Sequence, residues 1–299
     1  MTGLNKLTSY MRRKRITAGD FLIGIFLVVV TLMALLPFVH LLMTSLSDAT
    51  TLRYGFRMLP SKFTWDSYVD AIKSPNMLSG LRNSLVRVLV AVPLTVIINS
   101  MAAYATSKQD MVGGKFLRIF FMLTMYLNAG MIPIFITMKN YGLVGTFWVY
   151  LVAVCTPFFM ILIRNYFLGV PQSLEDAALL DGAGYWSYFV RILIPVSKPI
   201  LATVVLFTFV NHWNMYTDTL IYNLTKQDLY TLQYVLYLSL SSAKSSSYAD
   251  GGSFKDFSSV STTTLQAALT MITLIPLVVI YPFLQRFIVS GVTLGAVKE

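Results

Sequence analysis

Six stretches of the chain stay apolar long enough to cross a bilayer core, which takes roughly 20 residues of helix. They cover 20–46, 81–106, 116–138, 146–168, 199–222 and 265–289. The pattern predicts an all-α integral membrane protein with six transmembrane helices in a single domain, 20–290. A segment 1–19 precedes the domain and a tail 291–299 follows it. A basic run, Arg12 to Arg15, stands before the first span. That is how a signal peptide starts, but the apolar run is too long for one and reads as a retained span. Two connections are long, 47–80 and 223–264. The second opens with YTLQYVLYLSL, an amphipathic stretch that predicts a short helix. SSAKSSSYADGGS follows, with the Gly/Ser-rich composition of a flexible segment. Prolines 37, 93, 133, 157, 276 and 282 show no symmetry of the kind that paired inverted halves would carry.

Composition agrees. Of 299 residues, 56% are hydrophobic and 12% charged, where a soluble domain carries about 25% charged residues. Mean hydropathy is +0.67. A net charge of +10 raises the question of nucleic acid. The cations instead gather at span ends, as membrane insertion requires, and no nucleic-acid partner is expected. Lys6, Arg12, Arg13, Lys14, Arg15, Lys108, Lys115, Arg118, Arg164, Arg191 and Lys198 lie in the N-terminal run and the short connections that orient a chain. They predict cytoplasmic termini and an outward 47–80 and 223–264. Arg82 and Arg87 fall on the outer side in this reading.

Little catalytic chemistry is legible. The one cysteine, Cys155, reads as a small buried apolar residue, and the two histidines, His40 and His212, are far apart. Gly113–Lys115 spells GGK without the rest of a phosphate-binding loop. No catalytic residue, metal site or cofactor is expected on this chain.

The interval 171–198 is unusual for so apolar a chain. EDAALLDGAG, Glu175 to Gly184, packs three carboxylates, three alanines and two glycines between two spans. Pro171 and Ser173 read as a helix start, with Ser173 and Asp176 in a capping-box arrangement. Glu175 and Asp176 suit the positive end of a helix dipole. Leu174, Ala177 and Ala178 make a thin face. Gly182 and Gly184 break the helix, and Trp186, Phe189 and Leu193 mark a second one. Small side chains allow close backbone approach, and exposed acids can pair with arginines of a soluble partner.

PQSLEDAALLDGAGYWSYFVRILIPVSKP resembles the "EAA" cytoplasmic loop of ABC importer permeases. Its carbohydrate-branch pattern runs P-x-x-L-E-E-A-A-x-x-D-G-A, then I-x-x-P-x-x-x-P after a spacer. MYLNAGMIPIFITMKNYGLVGT resembles the third span and following loop of the oligosaccharide and polysaccharide permeases. HWNMYTDTLIY is similar to their fifth span, and QRFIVSGVTLGAVKE to the C-terminus of the maltose-type second subunit. Asp176 stands where the family carries glutamate. The resemblance implies a permease in the bacterial cytoplasmic membrane, paired with a second, homologous permease. Glu175, Asp176, Ala177, Ala178, Asp181, Gly182 and Ala183 would form a coupling helix seated in a cytoplasmic ATP-binding subunit, where ATP and Mg bind. An extracytoplasmic binding protein would deliver sugar, and the tail would reach the ATPases.

The fifth span also holds Asn211, His212, Trp213, Asn214, Tyr216 and Asp218. Polar groups at membrane depth face a bundle interior or a wet cavity. Asn211, His212, Trp213, Asn214 and Tyr216 are therefore candidate sugar-path residues, and interhelical hydrogen bonding is the plainer explanation of the asparagines. An alternative function is a proton-coupled secondary transporter relaying through His212 and Asp218. Asn83, Asn99 and Asn128 are read as structural.

Overall fold

The computed structural model describes residues 18–48, 50, 58–108, 110–127, 129–249 and 257–296. Asn128 and the segment 1–17 lie outside them. Among the described residues the chain is helical, with one isolated bridge between Ser47 and Phe63 and no strand. Four helices are long and apolar enough to cross a membrane, or up to six if each of two bent pairs is one span.

The chain divides into two compact units. The first holds helix α1 (Ala18–Ser45), whose residues from Gly19 to Leu35 are all exposed. Phe21, Leu22, Phe26, Leu32 and Met33 lie outward on it, an apolar sleeve that suits lipid and not water. Beyond it, Asp48 N–H donates to the Lys62 carbonyl at 2.9 Å and Ser45 hydroxyl meets Tyr68 hydroxyl at 2.8 Å. Hydrogen bonds from Thr50 and Lys62 hold the Asp48 carboxyl below its usual range.

The second unit is built around α3 (Met77–Ser107), which follows the short α2 (Asp66–Lys73). Packed on α3 are α6 (Pro157–Leu168), α9 (Lys198–Asn214) and α11 (Leu232–Ala249). Gly80 lets α11 come close, since a Cβ there would lie 3.2 Å from the Leu232 nitrogen. Asn83 donates to the carbonyls of Asp228 (2.6 Å) and Tyr230 (2.9 Å), and Ser84 accepts the Leu232 N–H at 2.9 Å. These bonds fix the start of the second long connection. Its backbone is then helical through Ala249, so 241–249 is not the flexible run its composition predicts. Serine costs only a few tenths of a kcal/mol in a helix, and the glycine pair comes later, at 251–252. Residues 250–256 lie outside the described ones.

Three predicted spans are interrupted. The interval 116–138 is two helices, α4 (Gly114–Tyr126) and α5 (Met131–Asn140), meeting at 117°. Gly130, with φ of +84°, turns the chain there. The interval 146–168 starts as a 3-10 turn, Phe147–Val154, and resumes as α6 after extended Cys155 and Thr156. Cys155 is exposed, contrary to expectation. Asn99, fully buried on α3, closes this break. Its Oδ1 accepts the Thr156 N–H at 3.0 Å, and its Nδ2 donates to Val154 (2.8 Å) and Thr95 (2.7 Å) carbonyls. Backbone groups without water need such a partner. The interval 199–222 divides into α9 and α10 (Thr217–Tyr222), with Met215 extended between them. Finally, α12 (Phe257–Ala296) runs through the expected tail as far as Ala296, and 297–299 lie outside the described residues.

Candidate functional site

The acidic interval folds as a helix, a tight turn and a second helix. The first is α7 (Ser173–Leu180). Gln172 precedes it already in helical geometry, and no side chain caps it. The Glu175 and Asp176 amides bond back to the Gln172 carbonyl at 2.9 and 3.0 Å. Ser173 is thus inside the helix, where its hydroxyl is not presented to the first-turn amides, and the expected capping box does not form. The far end is a Schellman turn. Ala183 N–H reaches the Ala178 carbonyl (2.9 Å), Gly182 N–H reaches Leu179 (3.0 Å), and Gly182 sits at φ +81°. The second helix, α8 (Tyr185–Val196), contains a π turn over Phe189–Leu193 just before Pro195. It meets α9 at 77°.

The two alanines of the thin face part company. Ala178 is buried in a cluster with Tyr188, Phe189, Leu193, Ile163 and Phe167, whereas Ala177 is exposed. Glu175 pairs with Lys108 of the same chain. Asp176, Asp181 and Gly182 are exposed, and Ala183 is half-buried. Between them stands Leu180, 89% exposed. Sequence reasoning passed over Leu180, because its position beside Leu179 reads as one more core leucine. Leu179 is in fact half-buried and Leu180 faces out.

The second candidate site is a cavity of about 270 Å³ among α3, α5, α9, α10 and the 3-10 turn. Among its lining residues is Arg87, a cation buried to 1% exposure. Its Nη2 pairs with Asp218 at 2.5 Å and its Nε donates to His212 Nδ1 at 3.1 Å. Its Nη1 donates to the Met215 carbonyl at 3.4 Å. The guanidinium also lies 4.8 Å from the Tyr150 ring centroid. The break between α9 and α10 therefore exposes a carbonyl that this guanidinium satisfies. Thr95 and Thr208 line the cavity with buried hydroxyls that have no partner, and Asn211 lines it too. Helix α5 supplies Ile134 and Met138, and its Phe135 stacks on Tyr222 at 6.0 Å.

Of the five candidate path residues, Asn211 and His212 line this cavity. Trp213, 2% exposed, does not; it stacks on Phe209 and donates its indole N–H to the Thr273 carbonyl at 2.9 Å. Asn214 is exposed elsewhere, and Tyr216 stacks on Tyr237 of α11 at 4.7 Å. Asp218 is the ion-pair partner of Arg87. Among the described residues no cluster of side chains is arranged to hold a metal.

No family model matches the chain. It is 29% identical to a polygalacturonan/rhamnogalacturonan transport system permease protein of Bacillus subtilis, over 93% of this chain and 98% of the relative. It is 30% identical to an osmoprotective compounds uptake permease protein of Synechocystis, over 80% and 76%. Its backbone matches the crystal structure of a bacterial ABC transporter that imports the acidic polysaccharide alginate. There the TM-score is 0.78 and the identity 28%, over 91% of this chain and 99% of that one. The chain belongs to the permease family of ABC carbohydrate importers. The permease is thus a multi-pass helical membrane protein and a transport subunit. In this permease the irregular backbone at Val154–Thr156 and at Met215 is satisfied by Asn99 and Arg87.

Proposed function

We propose that the permease forms half of a pore with a second, homologous permease and moves a sugar, an oligosaccharide, inward across the bacterial cytoplasmic membrane. Its α7 turn docks into a separate ATPase, which holds ATP and Mg, and an extracytoplasmic binding protein delivers the sugar. Both termini are cytoplasmic in this reading. The observation that carries it is the tip of the module: Leu180 stands bare beside exposed Asp176, Asp181 and Gly182 on a turn fixed from behind by Ala178. A bare leucine on a rigid acidic turn suits a cleft with an apolar floor and basic rim.

The cavity around Asn211 and His212 is the proposed sugar path. The proton-relay alternative is less suited to this geometry. His212 Nδ1 accepts from a guanidinium, so a further proton would place two cations side by side, and Asp218 is held by the same arginine.

The docking test is a comparison at one position in the purified transporter. Asp176→Lys should release the ATPase or uncouple it more than Asp176→Asn does, since a like-charge contact is worse than a missing pair. An acidic substitution on the ATPase rim should restore part of the loss. Parent-like assembly and binding-protein-stimulated hydrolysis in Asp176→Lys would rule the docking role out.

A further inference from the structure

Lys108 follows the last residue of α3. Its ammonium pairs with Glu175 of α7 and lies 5.6 and 5.8 Å from the ring centroids of Tyr185 and Tyr188 on α8. It also lies 4.7 Å from the ring of Tyr104, one turn back on α3. One side chain therefore touches both helices of the module and its own helix at once. The pair is withdrawn from water, with Lys108 30% and Glu175 17% exposed, so attraction there is screened less than at an open surface.

The end of α3 is itself held. The Thr106 carbonyl accepts from Arg164 Nε of α6 at 3.0 Å and from Arg118 Nη1 of α4 at 3.4 Å. These cations suit the negative end of the helix dipole. Further along the same helix come Asn99, which closes the break before α6, and Arg87, which lines the cavity. From Lys108 to Arg87 is roughly 30 Å of helix at the standard rise. Module and body also share apolar packing: Ala178, Tyr188, Phe189 and Leu193 lie in one buried cluster with Ala103 of α3 and Ile163 and Phe167 of α6. Apolar packing is non-directional, and the charged clasp adds a tie with a fixed partner.

We infer that Lys108 is a positioning residue for transport: seated between Glu175 and the tyrosines, it makes α3 the rod along which a displacement of the module reaches Arg87 and the cavity. The inference rests on the docking of the module to an ATPase. It assigns the two neighbouring acids different tasks. Asp176 faces the partner, and Glu175 faces inward to the rod.

The test uses the complete transporter, with Cys155→Ser to remove the native thiol and Asn211→Cys to report from the cavity. The probe is a charged methanethiosulfonate reagent. Its reaction rate is compared between nucleotide-free complex and complex trapped with MgATP and vanadate. With Lys108 present, the two rates should differ by about fivefold or more, a usual lower size for coupling between sites. Lys108→Met should abolish the difference while the ATPase stays bound. Lys108→Arg should keep most of it, and the swap Lys108→Glu with Glu175→Lys should restore part. A Lys108→Met complex that retains the full nucleotide response overturns the clasp. So does loss of the response in Lys108→Met with no recovery in either Lys108→Arg or the swap, because that pattern belongs to a residue needed only for packing. If the Lys108-containing complex shows no response and Asp176→Lys leaves the ATPase bound, the docking reading fails first and the clasp with it.

Discussion

Gly182 ends α7 in the left-handed region, at φ +81°, and among the described residues no atom beyond its chain neighbours lies within 4 Å of where its Cβ would be. A side chain there meets no clash within the permease, so its cost is conformational, about 1–2 kcal/mol for a residue with a Cβ. Gly182→Val should therefore loosen the Schellman turn and reduce co-purification of the ATPase without changing membrane insertion. Gly182→Asn, which tolerates these angles, should lose less. Equal co-purification of both variants with the parent would show that the turn is not at the interface. Arg87 gives a second prediction at this scale. Removing one member of a buried pair leaves the other uncompensated, at about 3 kcal/mol or more. Arg87→Met should lower the unfolding temperature of the purified permease complex, and Arg87→Met with Asp218→Leu should lower it less. Strict additivity would show that the two side chains do not act as a pair. The acids of the module were legible because they are contiguous and follow a pattern. Arg87 was not. It sits near a predicted span end among other cations, and its partner is 131 residues away.

At the scale of elements, apolar runs predict six spans, while four helices, or up to six if each bent pair is one span, are long and apolar enough to cross, and three of the predicted intervals are broken. Hydropathy reports whether a stretch tolerates lipid; continuity depends on whether some distant group can satisfy the freed backbone. Asn99 does so for the break before α6, from 57 residues away, and nothing in its local sequence marks it for that role. Asn99→Ala should remove the hydrogen bonds to the Thr156 N–H and the Val154 carbonyl, at about 1–3 kcal/mol for each. Asn99→Asp retains an acceptor for Thr156 but sets a carboxylate oxygen against the Val154 and Thr95 carbonyls in a fully buried site. The order of thermal stability should be parent, then Ala, then Asp, read from unfolding of the detergent-solubilised complex. Similar values for all three would mean that water or another group satisfies the break. The same principle explains the fifth interval, where Asn211, His212 and Asn214 looked like one polar stripe. Only Asn211 and His212 reach the cavity, because helix geometry turns Trp213 toward Phe209 and Thr273 and leaves Asn214 exposed elsewhere.

For the whole molecule, the proposed function requires two faces, one for an ATPase and one for a binding protein. Charge places the long connection 223–264 outward, and its composition predicts a helix followed by a flexible run. Its early part proves to be structural: Leu232, Tyr234, Val235 and Leu236 are buried, and Asn83 and Ser84 hold its start. Exposed faces then remain at 224–228, before this stretch, and beyond Leu236, where Tyr237, Leu238 and Leu240 turn outward on α11. The two parts predict separable phenotypes. Tyr234→Ala removes a buried ring that stacks on Tyr237 and meets Tyr230 edge-on, and should cost about 3–5 kcal/mol of packing. Lower yield of assembled complex is the expected reading. Leu238→Asp with Leu240→Asp changes only outward side chains, so assembly and basal ATP hydrolysis should match the parent while stimulation by the binding protein falls. Hydrolysis by the purified complex, titrated with binding protein, separates the two effects. If stimulation is unchanged in the double variant, the outward face of α11 is a lipid or solvent surface, and the binding protein docks elsewhere on the permease pair.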